Sequence, residues 1–257
     1  MMMKLRRLMW VSALVPLVWG LGSGQGYAQE NEGARVYVGA GVLVETIPFL
    51  GESGDLDVSP VPIILYQGER ISAGVDGLGV KVFERDGFEV DVRARPRFGF
   101  ADPGEVTGLE DMSRDMAGEV GLAAQFERGP VVAEFDYFID VTDAHGGQEA
   151  SLRVGMDHQI SDRMSLGWRV GGRWQDQDLS TYLYGVYAEE ARQGRPAYAV
   201  DAGVTPVLEA EFTYAINTNW LLVAGADVEF LSDSAKDSPI IDADHVAGGH
   251  LVLLRRF

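Results

Sequence analysis

The stretch "WLLVAGADVEFL", residues 220–231, decides the fold of this chain. Every second residue from Trp220 to Phe230 is apolar, whereas the residues between them turn acidic at Asp227 and Glu229. A repeat of two residues places alternate side chains on opposite faces of a β-strand. In an α-helix, the same apolar residues would be distributed around the whole helix axis. The stretch therefore predicts a strand with one apolar face and one face that becomes polar.

The same alternation recurs in "LEAEFTYAI" (208–216), "MSLGWRVGGRW" (164–174) and "FEVDVRARPRFGF" (88–100). A soluble β-sandwich also alternates, but its strands usually run about 5–6 residues. Strands that cross a membrane as a barrel need about 10 residues, and aromatic side chains flank their apolar band. Phe88 and Phe100 bracket one of the segments in this way. The pattern favours a transmembrane β-barrel over a sandwich.

Twelve such segments can be placed along the chain. The predicted strands cover residues 35–44, 59–66, 70–76, 78–84, 87–100, 117–127, 130–139, 148–160, 163–174, 204–216, 219–231 and 245–257. Tight turns such as "ERGP" and "ISDR" alternate with longer loops, and an even strand number returns both ends to the short-turn side, as an outer-membrane barrel requires. Because the segments between residues 59 and 84 are short and rich in Gly and Pro, a barrel of ten strands is the alternative.

The first 28 residues have the features of a secretory signal peptide. Basic residues (Lys4, Arg6 and Arg7) precede the apolar run "LMWVSALVPLVWGL", and small residues lead up to a cleavage site after Ala28. A transmembrane anchor is the alternative, but the run is short and Pro16 interrupts it. We therefore expect export, with residues 29–257 forming a single barrel.

Charge and cysteine content restrict the functions open to the exported chain. Removal of the signal takes away three basic residues and no acidic one, so the net charge changes from −18 to −21. Such a charge argues against nucleic acid as a partner. The chain has no Cys, which excludes disulfides and thiol chemistry.

The last strand ends on an aromatic residue, Phe257, with Leu253 and Leu251 on the same face. This ending resembles the C-terminal signal by which the barrel-assembly machinery recognises outer-membrane proteins. Arg255 departs from that pattern, since an apolar or aromatic residue usually stands there. A long basic side chain can still lie along lipid while its charge reaches water.

The polar faces of the strands would point into the lumen of the barrel. The inward bases are Arg93, Arg95, Arg97, Arg153, Arg169 and Arg173, and the inward acids are Glu119, Glu134, Asp136, Asp157, Glu209, Glu211, Asp227 and Glu229. Because acids and bases tend to occupy different strands, we expect them to pair across a narrow interior. They would then act as a salt-bridged plug or line a selective channel.

The residues suggest no catalytic site. The four histidines are His145, His158, His245 and His250. A Ser–His hydrolase would need one of them beside a serine and an orienting residue, but the nearby serines lie in a loop and no motif joins them. The acidic loop 231–244 lacks the spacing of an EF-hand. We therefore predict no enzymatic activity, no metal and no cofactor.

Two stretches, "YLYGVYAEEARQGRPAY" (182–198) and "LSDSAKDSPIID" (231–242), resemble motifs of the MipA/OmpV family of MltA-interacting outer-membrane proteins. The motif residues are Tyr184, Gly185, Val186, Asp237, Ser238 and Pro239. Because the opening stretch of the exported chain also matches the family's opening, the resemblance covers essentially the whole exported chain. One departure is "PFLGESGD" (48–55), which lacks the Tyr-rich form that this segment often has.

The resemblance implies a non-enzymatic protein of the bacterial outer membrane. In one branch of the family, such a protein brings a lytic transglycosylase together with a penicillin-binding protein during peptidoglycan remodelling. Other members are described as porin-like channels or adhesins. The resemblance thus implies outer-membrane lipid and the barrel-assembly machinery as partners, and leaves scaffold, channel and adhesin open.

Overall fold

The computed structural model describes residues 33–75, 77–97 and 103–257, and in them the chain forms one closed antiparallel barrel. Each strand pairs with its neighbours in sequence, and β1 pairs with β12 to close the ring. The strands are β1 Arg35–Thr46, β2 Leu56–Gln67, β3 Ile71–Gly74, β4 Gly77–Arg85, β5 Phe88–Arg97, β6 Ala117–Arg128, β7 Val131–Asp140, β8 Gln148–Ser161, β9 Met164–Gln175, β10 Gly203–Ala215, β11 Trp220–Phe230 and β12 His245–Arg256. The prediction of a twelve-stranded barrel is confirmed. The predicted signal peptide, residues 1–28, lies outside the described residues.

Short helical segments lie only in the connections of the described chain. They are α1 (Gln177–Tyr184), α2 (Asp233–Lys236) and 3-10 turns at Pro103–Glu105 and Ala188–Glu190. Among the described residues, no helix is long and apolar enough to cross a membrane.

The side chains alternate between the two faces of the wall, as the sequence predicted. On β2, Ile63 is fully buried in the interior while Ile64, the next residue, is 66% exposed on the outer surface. Exposed apolar side chains continue around the outside, for example Leu152 on β8 and Leu208 on β10. An outer surface of this kind requires a hydrocarbon solvent.

The connections differ in length at the two ends of the barrel. At one end of the barrel, β1 begins and β12 ends. The turns at this end are tight and lie around residues 68–70, 86–87, 129–130, 162–163 and 216–219. At the other end, the connections 47–55, 98–116, 141–147, 176–202 and 231–244 are longer. We call these the short-turn end and the long-loop end.

Two strand boundaries were predicted wrongly. β2 begins at Leu56, earlier than expected, and β3 is only four residues long instead of spanning 70–76. The chain turns back early because Gly77 adopts a φ of +109°, and a Cβ there would lie 2.1 Å from the carbonyl oxygen of Ala94. The end of the predicted fifth strand, residues 98–100, lies outside the described residues.

Apolar residues pack in two separate clusters. The lumen cluster joins four adjacent strands on one side of the interior, and its residues are Tyr37, Ile63, Leu65, Val223, Val252 and Leu254. The cap cluster lies at the long-loop end, and its residues are Phe49, Val106, Leu109, Met112, Leu179, Tyr182, Leu183, Tyr184, Val186, Val200, Leu231, Ala235, Ile240, Ile241 and Val246. Together they stabilise the barrel from inside and close one of its ends.

The C-terminal residue continues the last strand. The amide of Phe257 donates to the carbonyl oxygen of Val36 at 2.9 Å. The guanidinium of Arg255 lies 4.8 Å from the ring centre of Phe257 and 5.9 Å from that of Trp220. Arg255 is thus tolerated on the outer face because two aromatic rings contact its charge.

Replacing Phe257 by Ala is expected to reduce the amount of folded protein in the membrane, because the terminal aromatic is the proposed recognition feature. Heat-dependent migration on gels would measure the folded fraction in membranes. The matched control is Phe230→Ala, which removes an outward aromatic at the long-loop end. Equal amounts of folded protein for Phe257→Ala and the unmodified chain would contradict the assignment.

Candidate functional site

Buried ion pairs fill the part of the lumen nearest the long-loop end. Glu119 of β6 accepts from Nε of Arg95 at 2.6 Å and from Nε of Arg97 at 2.5 Å. Glu149 of β8 accepts from Nη2 of Arg95 at 3.0 Å and forms an ion pair with Nη2 of Arg97 at 2.9 Å. Both carboxylates are at least nine-tenths buried. Each carboxylate thus bridges two guanidinium groups, which ties β5 to β6 and β8 across the interior.

His145 extends this network from the loop between β7 and β8. Its Nδ1 accepts from the amide of Gly147 at 3.0 Å, so the proton of a neutral ring lies on Nε2, which is 3.2 Å from Glu119. The ring packs against Tyr182 of α1 with 5.3 Å between ring centres. His145 therefore connects the lumen to the loops above it.

A second buried network crosses the middle of the barrel. Arg153 lies 2.5 Å from Asp136 and 3.3 Å from Glu209. Arg169 donates to both oxygens of Asp157 at 2.8 and 3.0 Å. Since β7, β8, β9 and β10 each contribute to these pairs, the network braces one half of the wall.

The other predicted lumen charges also face inward. Arg93 pairs with Asp91 at 3.1 Å, and Arg173 pairs with Glu229. Nε2 of His250 lies 3.9 Å from Glu211. Two predicted acids remain. Glu134 lies 3.6 Å from both Arg153 and Arg169. Asp227 lies two positions from Glu229 on β11, with its carboxylate beside Gly248 of β12. The predicted inward charges thus lie on strands β5 to β11.

The family-motif residues lie in the cap instead of the lumen. Tyr184 and Val186 are buried in the cap cluster. Oγ of Ser238 donates to the carbonyl oxygen of Tyr184 at 2.6 Å, so the two motifs contact each other although they are far apart in sequence. Gly185 packs so closely that a Cβ would lie 2.6 Å from Thr181. Asp237 is exposed and Pro239 is half-buried beside them.

A buried arginine holds two loops of the cap together. Arg114 donates to the carbonyl oxygen of Tyr182 at 2.7 Å and to Glu190 at 3.1 Å through Nη2. It lies at 4.8 Å from the ring centre of Tyr187. The hydroxyl of Tyr182 donates to the carbonyl of Asp115, and burial raises the pKa of this tyrosine to about 12. Tyr182 therefore stays protonated and keeps this hydrogen bond at physiological pH.

The contacts of four network residues were not predicted from the sequence: Glu149, His145, Arg114 and Glu190. Glu149 carried a usable signal, because it lies in the same alternating register as Arg153 on β8. The other three lie in loops, where no period predicts which way a side chain points.

Ser238 and His158 do not form a serine–histidine pair in the described structure. Ser238 donates to a backbone carbonyl instead of contacting a histidine, and His158 lies on the outer face of β8. Within residues 33–75, 77–97 and 103–257, no group of three His, Asp or Glu side chains is placed to hold a metal ion. What the arrangement does is fill the lumen and close one end.

Comparison with known proteins identifies relatives in the outer membrane. A family model described as "MltA-interacting protein MipA" matches residues 38–257. The MltA-interacting protein of Escherichia coli (strain K12) is 26% identical over 216 residues, covering 80% of this chain and 83% of that protein. Outer membrane protein OmpV of Vibrio cholerae is 24% identical over 183 residues, covering 69% and 70%.

Among solved structures, an outer membrane channel from Pseudomonas putida F1 aligns with a TM-score of 0.49 and 7% identity, covering 90% of this chain and 98% of that one. The relatives and the barrel together place the chain in the bacterial outer membrane. The short-turn end therefore faces the periplasm and the long-loop end faces outward.

Proposed function

The chain belongs to the MltA-interacting protein MipA family, and on that premise we propose that it is a non-enzymatic scaffold of the outer membrane. Its partners would be periplasmic enzymes that remodel peptidoglycan, a lytic transglycosylase and a penicillin-binding protein. The name of the Escherichia coli relative, MltA-interacting protein, supports the first of these partners.

The single observation that carries the proposal is how the interior is filled. The cap cluster covers the outer mouth, paired charges cross the middle, and the lumen cluster occupies one side of the periplasmic half. Side chains in such a barrel brace its wall, whereas an aqueous pore needs an unobstructed bore. The filled interior supports a role at the surface of the barrel over diffusion through it.

A scaffold would bind periplasmic enzymes through the short turns, the strand ends beside them or the segment Gln29–Ala34. The turns there expose charged side chains, among them Arg70, Arg85, Arg128 and Arg163. Turns of this size offer little area, and small interfaces are typical of transient complexes. The proposed complexes should therefore be captured better by crosslinking than by purification alone.

Crosslinking followed by a pull-down from the native envelope is expected to recover a lytic transglycosylase together with a penicillin-binding protein. Replacing Arg70 and Arg163 by Glu should reduce this recovery, because the change reverses the charge of two periplasmic turns. The matched control is Lys236→Glu, which makes the same kind of change at the opposite end of the barrel.

If the protein is a channel instead of a scaffold, we expect a different result from the same crosslinking experiment. Neither enzyme would be recovered, and the purified protein would show discrete conductance in planar bilayers. That conductance would change when Arg93, Arg95 and Arg97 are replaced together by Gln. This combination of results would overturn the scaffold and leave a porin-like function in its place.

A further inference from the structure

Ion pairing separates the arginines of the short-turn end from the other arginines of the barrel. Every arginine of the lumen and the cap pairs with a carboxylate, as Arg95 does with Glu119. At the short-turn end, Arg85 and Asp86 form an exposed pair at 3.2 Å. Within the described parts of the chain, the arginines that have no carboxylate partner all lie at this end: Arg35, Arg70, Arg128, Arg163, Arg255 and Arg256. The short-turn end therefore carries positive charge that no ion pair neutralises, although the net charge of the chain is −18.

Two of the arginines at this end point toward lipid on neighbouring strands. Arg85 of β4 is opposite Phe88 of β5, and Phe88 is opposite Phe126 of β6. Both phenylalanines are exposed on the outer face, and residues directly opposite each other on paired strands share a face. Arg85 therefore points outward. Arg128 does so too, because it lies two residues beyond Phe126 on the same strand.

A histidine lies on the same outer face two strands further on. Arg128 is opposite Val131 of β7, and Val131 is opposite Met156 of β8. His158 follows Met156 by two residues toward the short-turn end, and its side chain is exposed. Its imidazole carries at least one N–H that can donate a hydrogen bond. We call Arg85, Arg128 and His158 the basic rim.

Aromatic side chains place the basic rim at the level of the lipid head groups. The ring centres of Phe83 and Phe88 lie 6.0 Å apart, and Phe126 continues this aromatic row on the next strand. Such aromatic girdles mark the interface between hydrocarbon and head groups in outer-membrane barrels. The stem of a long basic side chain lies along lipid at this depth while its charge reaches the head groups. Arg85 and Arg128 therefore present their guanidinium groups to the head groups of the inner leaflet.

Positive charge on the outer face is confined to the inner leaflet. Along the described strands, the outward arginines are Arg85, Arg128 and Arg255, and all three lie at the short-turn end. At the long-loop end, the outward positions are occupied by residues such as Trp174 and Phe230, and none of those on the described strands is Arg or Lys. The two leaflets therefore meet different charges on the wall of the barrel.

The basic rim lacks acids that could accommodate the ammonium group of a zwitterionic lipid. On the described strands β4–β9, the outward residues of the periplasmic half are apolar apart from the basic rim. Asp86 lies in the adjacent turn, where it is already paired with Arg85. Charge complementarity therefore favours a lipid whose head group carries net negative charge.

We propose that the basic rim binds the phosphate group of an anionic phospholipid in the inner leaflet of the outer membrane. The guanidinium of Arg128 donates to the phosphate oxygens, and Arg85 and His158 supply further donors from the neighbouring strands. The acyl chains lie along Phe88 and Phe126. The bound lipid holds the barrel at a fixed depth, so that its turns reach the periplasm.

This lipid site goes beyond the proposed scaffold and does not depend on it. Arg70 and Arg163 lie in turns that face the periplasm and are not part of the basic rim. Loss of lipid binding and loss of enzyme recovery are therefore expected from different substitutions.

Brominated lipids test whether anionic phospholipid collects at the basic rim. The tryptophans of residues 33–257 (Trp168, Trp174 and Trp220) are first replaced by Phe, and one reporter is added, either Phe126→Trp beside the basic rim or Phe230→Trp at the long-loop end. In mixed vesicles, quenching at the Phe126→Trp reporter should show about fivefold tighter association of brominated phosphatidylglycerol than of brominated phosphatidylcholine. The Phe230→Trp reporter should show no such preference. Equal preferences at the two reporters would overturn the site.

Substitutions then test which side chains hold the lipid. Replacing Arg85, Arg128 and His158 together by Gln should remove the preference for phosphatidylglycerol at the Phe126→Trp reporter. The matched control replaces Arg70 and Arg163 by Gln, which removes two bases from neighbouring turns and should leave most of the preference. Heat-dependent migration confirms that each variant is folded. A preference that survives loss of the basic rim, or that falls equally in the control, would show that these outward side chains do not bind the lipid.

Discussion

Replacing Glu119 by Gln is expected to lower the free energy of unfolding by about 3 kcal/mol, near the lower end of the range for breaking a buried ion pair. Glu119 is 1% exposed and accepts from Arg95, Arg97 and His145 at 2.5–3.2 Å. Loss of its charge would leave two guanidinium groups to share the single carboxylate of Glu149. Denaturant unfolding of the protein in detergent micelles would measure the change.

Glu84→Gln is the matched control for this variant. Glu84 also pairs with a base, Lys81 at 2.9 Å, but its side chain is 63% exposed. An ion pair in water contributes only about 0–1 kcal/mol. Similar losses for the two variants would mean that the lumen network does not stabilise the barrel.

Replacing Arg114 by Gln is expected to open the cap. Removing the guanidinium would leave Glu190 buried without its charge partner and would free the carbonyl of Tyr182, at a cost of about 3–5 kcal/mol. Because the strands keep their own pairing, the loss should appear as local opening of these loops. Limited proteolysis should then cut within 103–116 and 176–202 while the strands remain protected.

Arg192→Gln serves as the comparison within the same cap. Its side chain is 50% exposed and lies 3.6 Å from Asp111, so solvent can replace the contact. Cleavage of both variants at the same rate would show that Arg114 is not what holds the loops together.

Packing in the cap explains physically why the two family motifs occur together in this chain. Tyr184–Val186 and Asp237–Pro239 come from different long loops, and the bond from Ser238 to Tyr184 joins them. Gly185 leaves room for Thr181, and its carbonyl lies 3.3 Å from Arg114. These residues therefore shape and close the outer mouth of the barrel, and in the described structure they form no catalytic arrangement.

Much of the fold could be read from alternation alone. Strands such as β6, β8 and β12 begin at the predicted residue, because a period of two over ten or more residues has no other stable interpretation in a membrane. β3 was predicted too long, because the turn at Gly77 depends on how closely β4 approaches Ala94. The distance between Gly77 of β4 and Ala94 of β5 depends on how the strands pair in the folded barrel.

The sequence by itself determined the barrel and the inward direction of charges such as Arg95 and Glu209, because both follow from local periodicity, whereas the structure decided between ten and twelve strands. Only the tertiary structure decided which charges pair, that Arg114 and His145 anchor the loops, and that β3 pairs with β2 through two residues. Ion pairs across the lumen and contacts between loops join residues that are distant in sequence. The local repeat of two residues therefore does not predict these contacts.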